Sequence, residues 1–261
     1  MPLLSVLMPC KNLNESCRKS IESILSQKVD LELIIVIDGG ENNLKLNDPR
    51  IIIKKLDKNL GPAAAANKCY KYASGEYITV HDDDDFSEPN RYSILLDEIK
   101  ENRAITSNIN IIENNLSYIK YYSPSNIIYP HKIKPPAHHC ATIIRKDLWD
   151  ELGNYDERFI SADSLRMIKL GVYLLLKNEK FVLCEKPLYN YIIRDGSVSR
   201  TKRWEKEIRQ VRKFILRIYQ KNKDPIEFLN NSNVEGIEIL SKKPSKKIRK
   251  PWKIGKGRKL K

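Results

Sequence analysis

The feature that most limits the fold is Leu31–Ile37, an apolar and largely β-branched run broken only by Glu32 and halted at Asp38-Gly39-Gly40. A strand that is apolar on both faces must be covered on both faces, as in parallel sheets sandwiched between helices. The neighbouring segments fit this requirement. Leu3–Met8 is a second apolar run, ending at Pro9, and between the two Asn14 is placed to cap a helix with Cys17, Ile21, Ile24 and Leu25 on one face. Ile51–Lys55 is a shorter strand, and Gly61-Pro62 opens an alanine-rich helix through about Ala73, with proline in its first turn. Tyr77–Val80 is the next strand, followed by a helix from about Pro89 to Asn102. Strand–helix alternation predicts right-handed crossovers and an α/β fold with a mostly parallel central sheet flanked by helices. Ligands of such sheets lie beyond the carboxyl ends of the strands, and Asp38 and Asp82–Asp85 stand just past two of those ends.

The second half is less regular. Ile111–Glu113 and Leu116–Tyr122 flank Asn114-Asn115 as a hairpin, and a polar, proline-rich stretch, Ser123–Pro136, leads to His138-His139 and a strand at Ala141–Arg145. Short helices are expected over Asp147–Leu152, stopped by Gly153, and over Ser161–Lys169, with strands near Phe181–Cys184 and Tyr189–Arg194. Trp204, Ile208, Val211, Phe214, Ile215, Ile218 and Tyr219 then share one face of a basic amphipathic helix.

Charge divides the chain. Of 47 Lys and Arg, 11 fall in 241–261 with none of the 33 acidic residues, so the other 240 residues hold 36 bases against 33 acids, a net of +3. A nearly neutral body of 1–200, a helical extension of 201–240 and a basic tail of 241–261, disordered when alone, are the expected units. No stretch approaches the roughly 18 apolar residues of a membrane span, and Leu3–Met8 is too short for a signal-peptide core. Five cysteines without a Cys-x-x-Cys pair read as reduced thiols of a cytoplasmic protein, peripheral at a membrane if the tail meets one.

Four consecutive aspartates after a strand repel one another and invite a cation. Carboxylate oxygens with no cysteine beside them in the sequence suit Mn²⁺ or Mg²⁺ rather than Zn²⁺, and such an ion can offset charge on a leaving diphosphate.

The motifs taken together resemble a family 2 glycosyltransferase of the GT-A, Rossmann-like fold over roughly Leu4 to Arg200. The landmarks are Ser5-Val6-Leu7-Met8-Pro9, Leu33–Gly39, Gly61-Pro62-Ala63-Ala64-Ala65-Ala66-Asn67, and Gly75-Glu76-Tyr77-Ile78 running into Asp82–Asp85, with Pro89 downstream. Gly153-Asn154-Tyr155-Asp156, Ala162-Asp163 and Gly196-Ser197-Val198-Ser199 follow in the family's order. The resemblance implies transfer of a hexose from a nucleotide-sugar, UDP-linked by expectation, to an acceptor hydroxyl on a glycan or lipid-linked intermediate, with inversion. It implies a metal on Asp84, donor contacts from Pro9, Lys11, Asp38, Asn67, Asp82, Asp83 and Arg194, and Asp163 as the general base that takes the acceptor's proton. A first-turn position would keep Asp163 ionised through the helix dipole. Departures from the family are Lys11 where an aromatic often stacks on the base, Ala66 where Arg often precedes the asparagine, and Arg194 where many relatives have a metal-binding His. His138 and His139 fall where the acceptor approaches, although by themselves they read as a surface loop pair.

The tail, with Trp252 among its cations, suits any polyanion, either an anionic membrane surface or nucleic acid. Transfer to a modified DNA base, or polyanion binding without catalysis on the same scaffold, are therefore the alternative functions. A nucleotidyltransferase is disfavoured because no Gly-rich loop followed by Lys lies near the N-terminus.

Overall fold

The computed structural model describes residues 1–114, 116–129, 132–194, 197 and 201–231. Asn115 of the expected turn, most of the Gly196–Ser199 motif and the 241–261 tail lie outside the described residues.

Four parallel strands open the chain: β1 (Leu4–Cys10), β2 (Leu31–Asp38), β3 (Ile51–Leu56) and β4 (Tyr77–Val80). A 3-10 turn, Glu15–Cys17, runs into helix α1 (Arg18–Leu25); Asn14 caps that turn by accepting from Ser16 N at 3.0 Å. Helix α2 (Pro62–Tyr70) precedes β4. Next come β5 (Phe86–Ser87), α3 (Arg91–Ile99), β6 (Ala104–Glu113) and β7 (Leu116–Lys120), then a separate two-stranded ribbon, β8 (Ile128–Tyr129) with β9 (Lys132–Ile133). Strand β10 (Thr142–Arg145), α4 (Lys146–Leu152), α5 (Ala162–Leu176), β11 (Phe181–Ile193), α6 (Lys202–Lys221) and α7 (Pro225–Asn231) complete the fold. The main sheet has the order β3-β2-β1-β4-β10-β6-β11-β5, with β7 on β6. Strand β10 is antiparallel to both its neighbours, β4 and β6.

The core follows from alternation. Leu7, Ile34 and Val36 point to one face with the alanines of α2 and the apolar sides of α4, α5 and α6. Val6, Met8, Leu33, Ile35 and Ile37 point to the other, against Ile21 and Ile24 of α1 and Tyr92 and Leu95 of α3. All eight residues of β2 are buried. The one polar interruption, Glu32, accepts from Ser5 Oγ at 2.6 Å and from Ser74 N at 2.6 Å, so its carboxylate is buried with partners.

The structure revises several sequence expectations. Helix α2 ends at Tyr70, three residues short of Ala73, and α3 covers only Arg91–Ile99. Helix α5 continues seven residues past Lys169, through Gly171, where a Cβ would meet Ile127 Cδ1 at 2.7 Å; that glycine serves packing and does not stop the helix. The two expected strands near 181–194 are one, β11, whose register shifts around Pro187 absorb the break. Among the described residues no helix is long and apolar enough to cross a membrane, and all five cysteines are buried and unpaired.

Candidate active site

The carboxyl ends of β1, β2 and β4 point to one edge of the sheet, and the chain past β4 is the acidic run. Its placement depends on buried neighbours. His81 is fully buried, its Nδ1 is 2.9 Å from the Asp82 carbonyl and its Nε2 is 3.1 Å from Ser87 Oγ. Burial, then Arg91, pushes its pKa down to about 3, so it is a neutral prop beneath the run. Asp85 accepts from Tyr189 Oη and from Ile192 N, both at 2.7 Å, and so ties the run to β11. Asp82 and Asp84, between these anchors, both face a cavity of about 460 Å³, the size of a small-ligand pocket.

From the β1 and α2 side the cavity is lined by Pro9, Pro62, Ala63 and Ala66. From the other side it is lined by His138, His139, Tyr155, Phe159, Asp163, Tyr191 and Arg194, and by Trp204 of the first turn of α6. Asp163 is the second residue of α5; the N-cap is Ser161, whose N and Oγ both donate to Glu207 Oε1 at 2.7 Å, so α6 fixes the start of the helix that carries Asp163. Pro9, Asp82, Asp84, His138, His139, Asp163 and Arg194 are therefore brought together.

Four other expected donor residues do not line the cavity. Lys11 is exposed at the end of β1, its backbone pressed against Gly40, where a Cβ would lie 1.8 Å from the Lys11 carbonyl. Asp38 is buried, and its two oxygens accept from Leu60 N at 2.6 Å and Gly61 N at 2.8 Å, cradling the loop that opens α2. Asn67 donates to the Tyr155 carbonyl at 2.9 Å and accepts from Tyr155 N at 2.8 Å, clamping the cavity-lining Tyr155. Asp83 faces Cys17, Oδ2 to Sγ 3.8 Å.

The electrostatics bear the mark of crowding. Burial first, then Asp84 and Asp82, push Asp83 up to about 7. Burial and Asp82 raise Asp84, partly countered by Arg194, whose Nε lies 3.9 Å from Asp84 Oδ2. Burial and Asp82 also raise Asp85. Asp82 goes the other way: burial opposes its charge, but His139, with Nε2 3.8 Å from Oδ2, and His138 hold its carboxyl low. Asp163 is raised by burial, against His139 and the backbone amides of the helix start. Desolvation thus outweighs the dipole expected to keep it acidic, which makes it a stronger proton acceptor.

Two sequence readings need correction. His138 and His139 are not a surface loop pair: they sit in a half-buried turn, with the His138 ring 4.9 Å from that of Tyr191 and 5.7 Å from that of Tyr189, and the Nδ1 atoms of both are buried without a hydrogen-bond partner. Nor is the acidic run free of thiols. Besides Cys17, Cys140 Sγ lies 3.1 Å from His139 Nε2, and donor atoms of His138, His139 and Cys140 fall within 4.8 Å of one another. Burial raises both thiols, Cys140 to about 12, so in the metal-free protein they are protonated at neutral pH. The carboxylates past β4, hard oxygen donors crowded beyond what Arg194 and His139 offset, still fit Mn²⁺ or Mg²⁺. Sequence reasoning named Asp85 only as part of the acidic run and missed Tyr189 and Arg91. The latter is fully buried, donates to Ser87 Oγ at 3.0 Å and to the Cys140 carbonyl, and braces the histidine turn from behind. Only an arginine in an otherwise apolar helix face could have signalled it.

The comparisons agree with this architecture. The chain is 30% identical over 222 residues to an uncharacterized glycosyltransferase of Methanocaldococcus jannaschii, covering 77% of this chain and 75% of that one. It is 30% identical over 150 residues to the UDP-Glc:alpha-D-GlcNAc-diphosphoundecaprenol beta-1,3-glucosyltransferase WfgD of Escherichia coli, covering 54% of this chain and 59% of the relative. Its fold is that of the mannosyltransferase PcManGT from Pyrobaculum calidifontis, solved with GDP-Man and Mn²⁺, at a TM-score of 0.61 and 13% identity, covering 90% and 69% of the two chains. It is equally that of S. aureus TarS 1-349 with UDP-GlcNAc, at 0.60 and 19%, covering 87% and 72%. Residues 5–153 match Glycosyl transferase family 2, and with the GT-A sheet and the carboxylates at its carboxyl edge the chain belongs to that family of glycosyltransferases.

Proposed function

We propose that the enzyme transfers a hexose from a UDP-sugar, with inversion and with a divalent metal, to a hydroxyl of a lipid-linked glycan intermediate. The observation that carries this reading is that Asp163, on the first turn of α5, and Asp82 and Asp84, past β4, line one cavity. Asp163 takes the acceptor hydroxyl's proton as that oxygen bonds to the anomeric carbon and the bond to the nucleoside diphosphate breaks on the opposite face. Burial, which raises its pKa, suits this task. Asp84 would hold Mn²⁺ or Mg²⁺, which would offset the charge on the departing diphosphate, with Asp82, which shares the cavity, toward the ribose. Arg194, beside Asp84, is placed for the diphosphate itself. Asp38 serves the donor side indirectly, by shaping the Leu60–Gly61 loop, while Asn67, expected on the donor side, holds Tyr155 of the acceptor side. Tyr155, Phe159, Tyr191 and Trp204 give the acceptor side an apolar, aromatic wall suited to sugar rings. The lipid-linked acceptor is suggested by the WfgD likeness, and the basic 241–261 segment suits an anionic surface.

The test is release of nucleoside diphosphate from a panel of UDP- and GDP-sugars with Mn²⁺, with Mg²⁺ and with chelator. Metal-dependent release that collapses in Asp84→Asn supports the reading. A wild type that binds no nucleotide-sugar with either metal overturns it.

A further inference from the structure

Helix α6 has two unlike faces. Ile208, Val211 and Ile215 are buried against the body, and Glu207 holds Ser161. On the opposite face the exposed positions are Lys202, Lys206, Arg209, Lys213, Arg217 and Lys221, with Gln220. At 100° per residue these six cations fall within an arc of about 120°, along a helix about 30 Å long. The carboxylate paired with this stripe is Glu205, 3.6 Å from Arg209, which itself stays mostly exposed.

We propose that this stripe is the surface on which the enzyme docks to an anionic lipid leaflet. The inference rests on the reading of the acceptor as lipid-linked. Charge complementarity selects the occupant: a straight row of cations on a rigid helix meets a flat anionic surface at all six positions at once. Ile226 of α7, a helix packed on α5 and α6, keeps 59% of its surface exposed, an apolar side chain that a leaflet can take up and a phosphate backbone cannot. The position of the stripe also serves the site. Trp204 of the same helix lines the cavity, and the buried face of α6 fixes the start of the helix bearing Asp163. Docking on the outer face of α6 thus sets the height of the cavity above the leaflet, where a lipid-linked sugar is presented.

The test uses the full chain and vesicles of phosphatidylcholine with and without phosphatidylglycerol, read by flotation. The wild type should bind the anionic vesicles only, and less as salt rises. The combined variant Lys206→Glu, Lys213→Glu, Arg217→Glu should lower partitioning about a hundredfold. A matched reversal in the tail, Lys246→Glu, Lys247→Glu, Lys253→Glu, should lower it less. Should the first variant misfold by circular dichroism, Lys206→Gln with Lys213→Gln should give a partial fall. Unchanged partitioning of a folded stripe variant overturns the proposal, as does loss confined to the tail variant, or tight binding of duplex DNA that anionic vesicles do not displace. Thermal shift with a UDP-sugar and Mn²⁺ separates the two readings. Donor binding without vesicle binding sinks only the docking surface; vesicle binding without donor binding sinks only the proposed reaction.

Discussion

The two walls of the cavity are built on different principles. Behind the wall built from β1 and α2, polar side chains that do not themselves line the cavity are spent on the protein: Asp38 on two loop amides and Asn67 on the Tyr155 backbone. The opposite wall is assembled from distant pieces, the 138–141 turn, the start of α5, β11 and α6, and it leaves the Nδ1 atoms of His138 and His139 buried and unpartnered. One side is braced by satisfied hydrogen bonds behind it, while the other brings His139, Asp163 and Arg194 to the cavity from separate elements, and the difference teaches which substitutions should touch stability and which should touch chemistry.

That contrast can be broken in graded ways. The largest effect should come from Asp84→Asn, which lies outside the scaffold bonds: turnover should drop on the order of a thousandfold, with the loss of several kcal/mol of charge stabilisation, while thermal stability is kept. Activity measured across Mn²⁺ concentrations checks this. Asp38→Ala should do the reverse. Leaving the Leu60 and Gly61 amides without their charged acceptor should cost about 2–3 kcal/mol in denaturant unfolding, with donor KM rising as the loop relaxes. Asn67→Ala should cost about 1–2 kcal/mol and, by freeing Tyr155, raise acceptor KM more than donor KM. The smallest effect is on pH dependence. A base must be unprotonated to act, and burial raises Asp163, so kcat should fall on acidification while the pH is still above the usual aspartate range. A limb at ordinary aspartate pH would mean that Asp163 is solvated or is not the base.

The same contrast decides what could be read from the sequence. Strands β1, β2 and β4 were legible because each buries a local, mostly apolar run, and β3 because its Ile51–Ile53 run is apolar even at the half-buried sheet edge; their order placed Asp38 and the acidic run at one edge. Strand β6 was only glimpsed at its end, in Ile111–Glu113, because the polar Thr106, Ser107 and Asn108 interrupt its apolar run. They are buried, and Thr106 and Asn108 find their partners 14 to 77 residues away, in Ala141, Thr142, Tyr122 and Glu185. The burial of the histidine turn was illegible for a similar reason, since it depends on Arg91 and Tyr189 arriving from α3 and β11. Asp163 could be named from the motif, yet the sign of its shift could not: the dipole is local and visible in sequence, whereas desolvation is a property of the assembled cavity. The role of Asp85 was hidden within four identical residues until β11 supplied its two donors.

The central claim is that Asp163 and the carboxylates past β4 serve one reaction from opposite walls. It is tested most directly by Asp163→Asn, measured twice: UDP-sugar affinity in the presence of Mn²⁺ by calorimetry, and single-turnover transfer at saturating donor and acceptor. Donor affinity should match the wild type while transfer slows by about a hundred- to ten-thousandfold. Transfer at the wild-type rate, or loss of donor binding in step with transfer, would contradict the account.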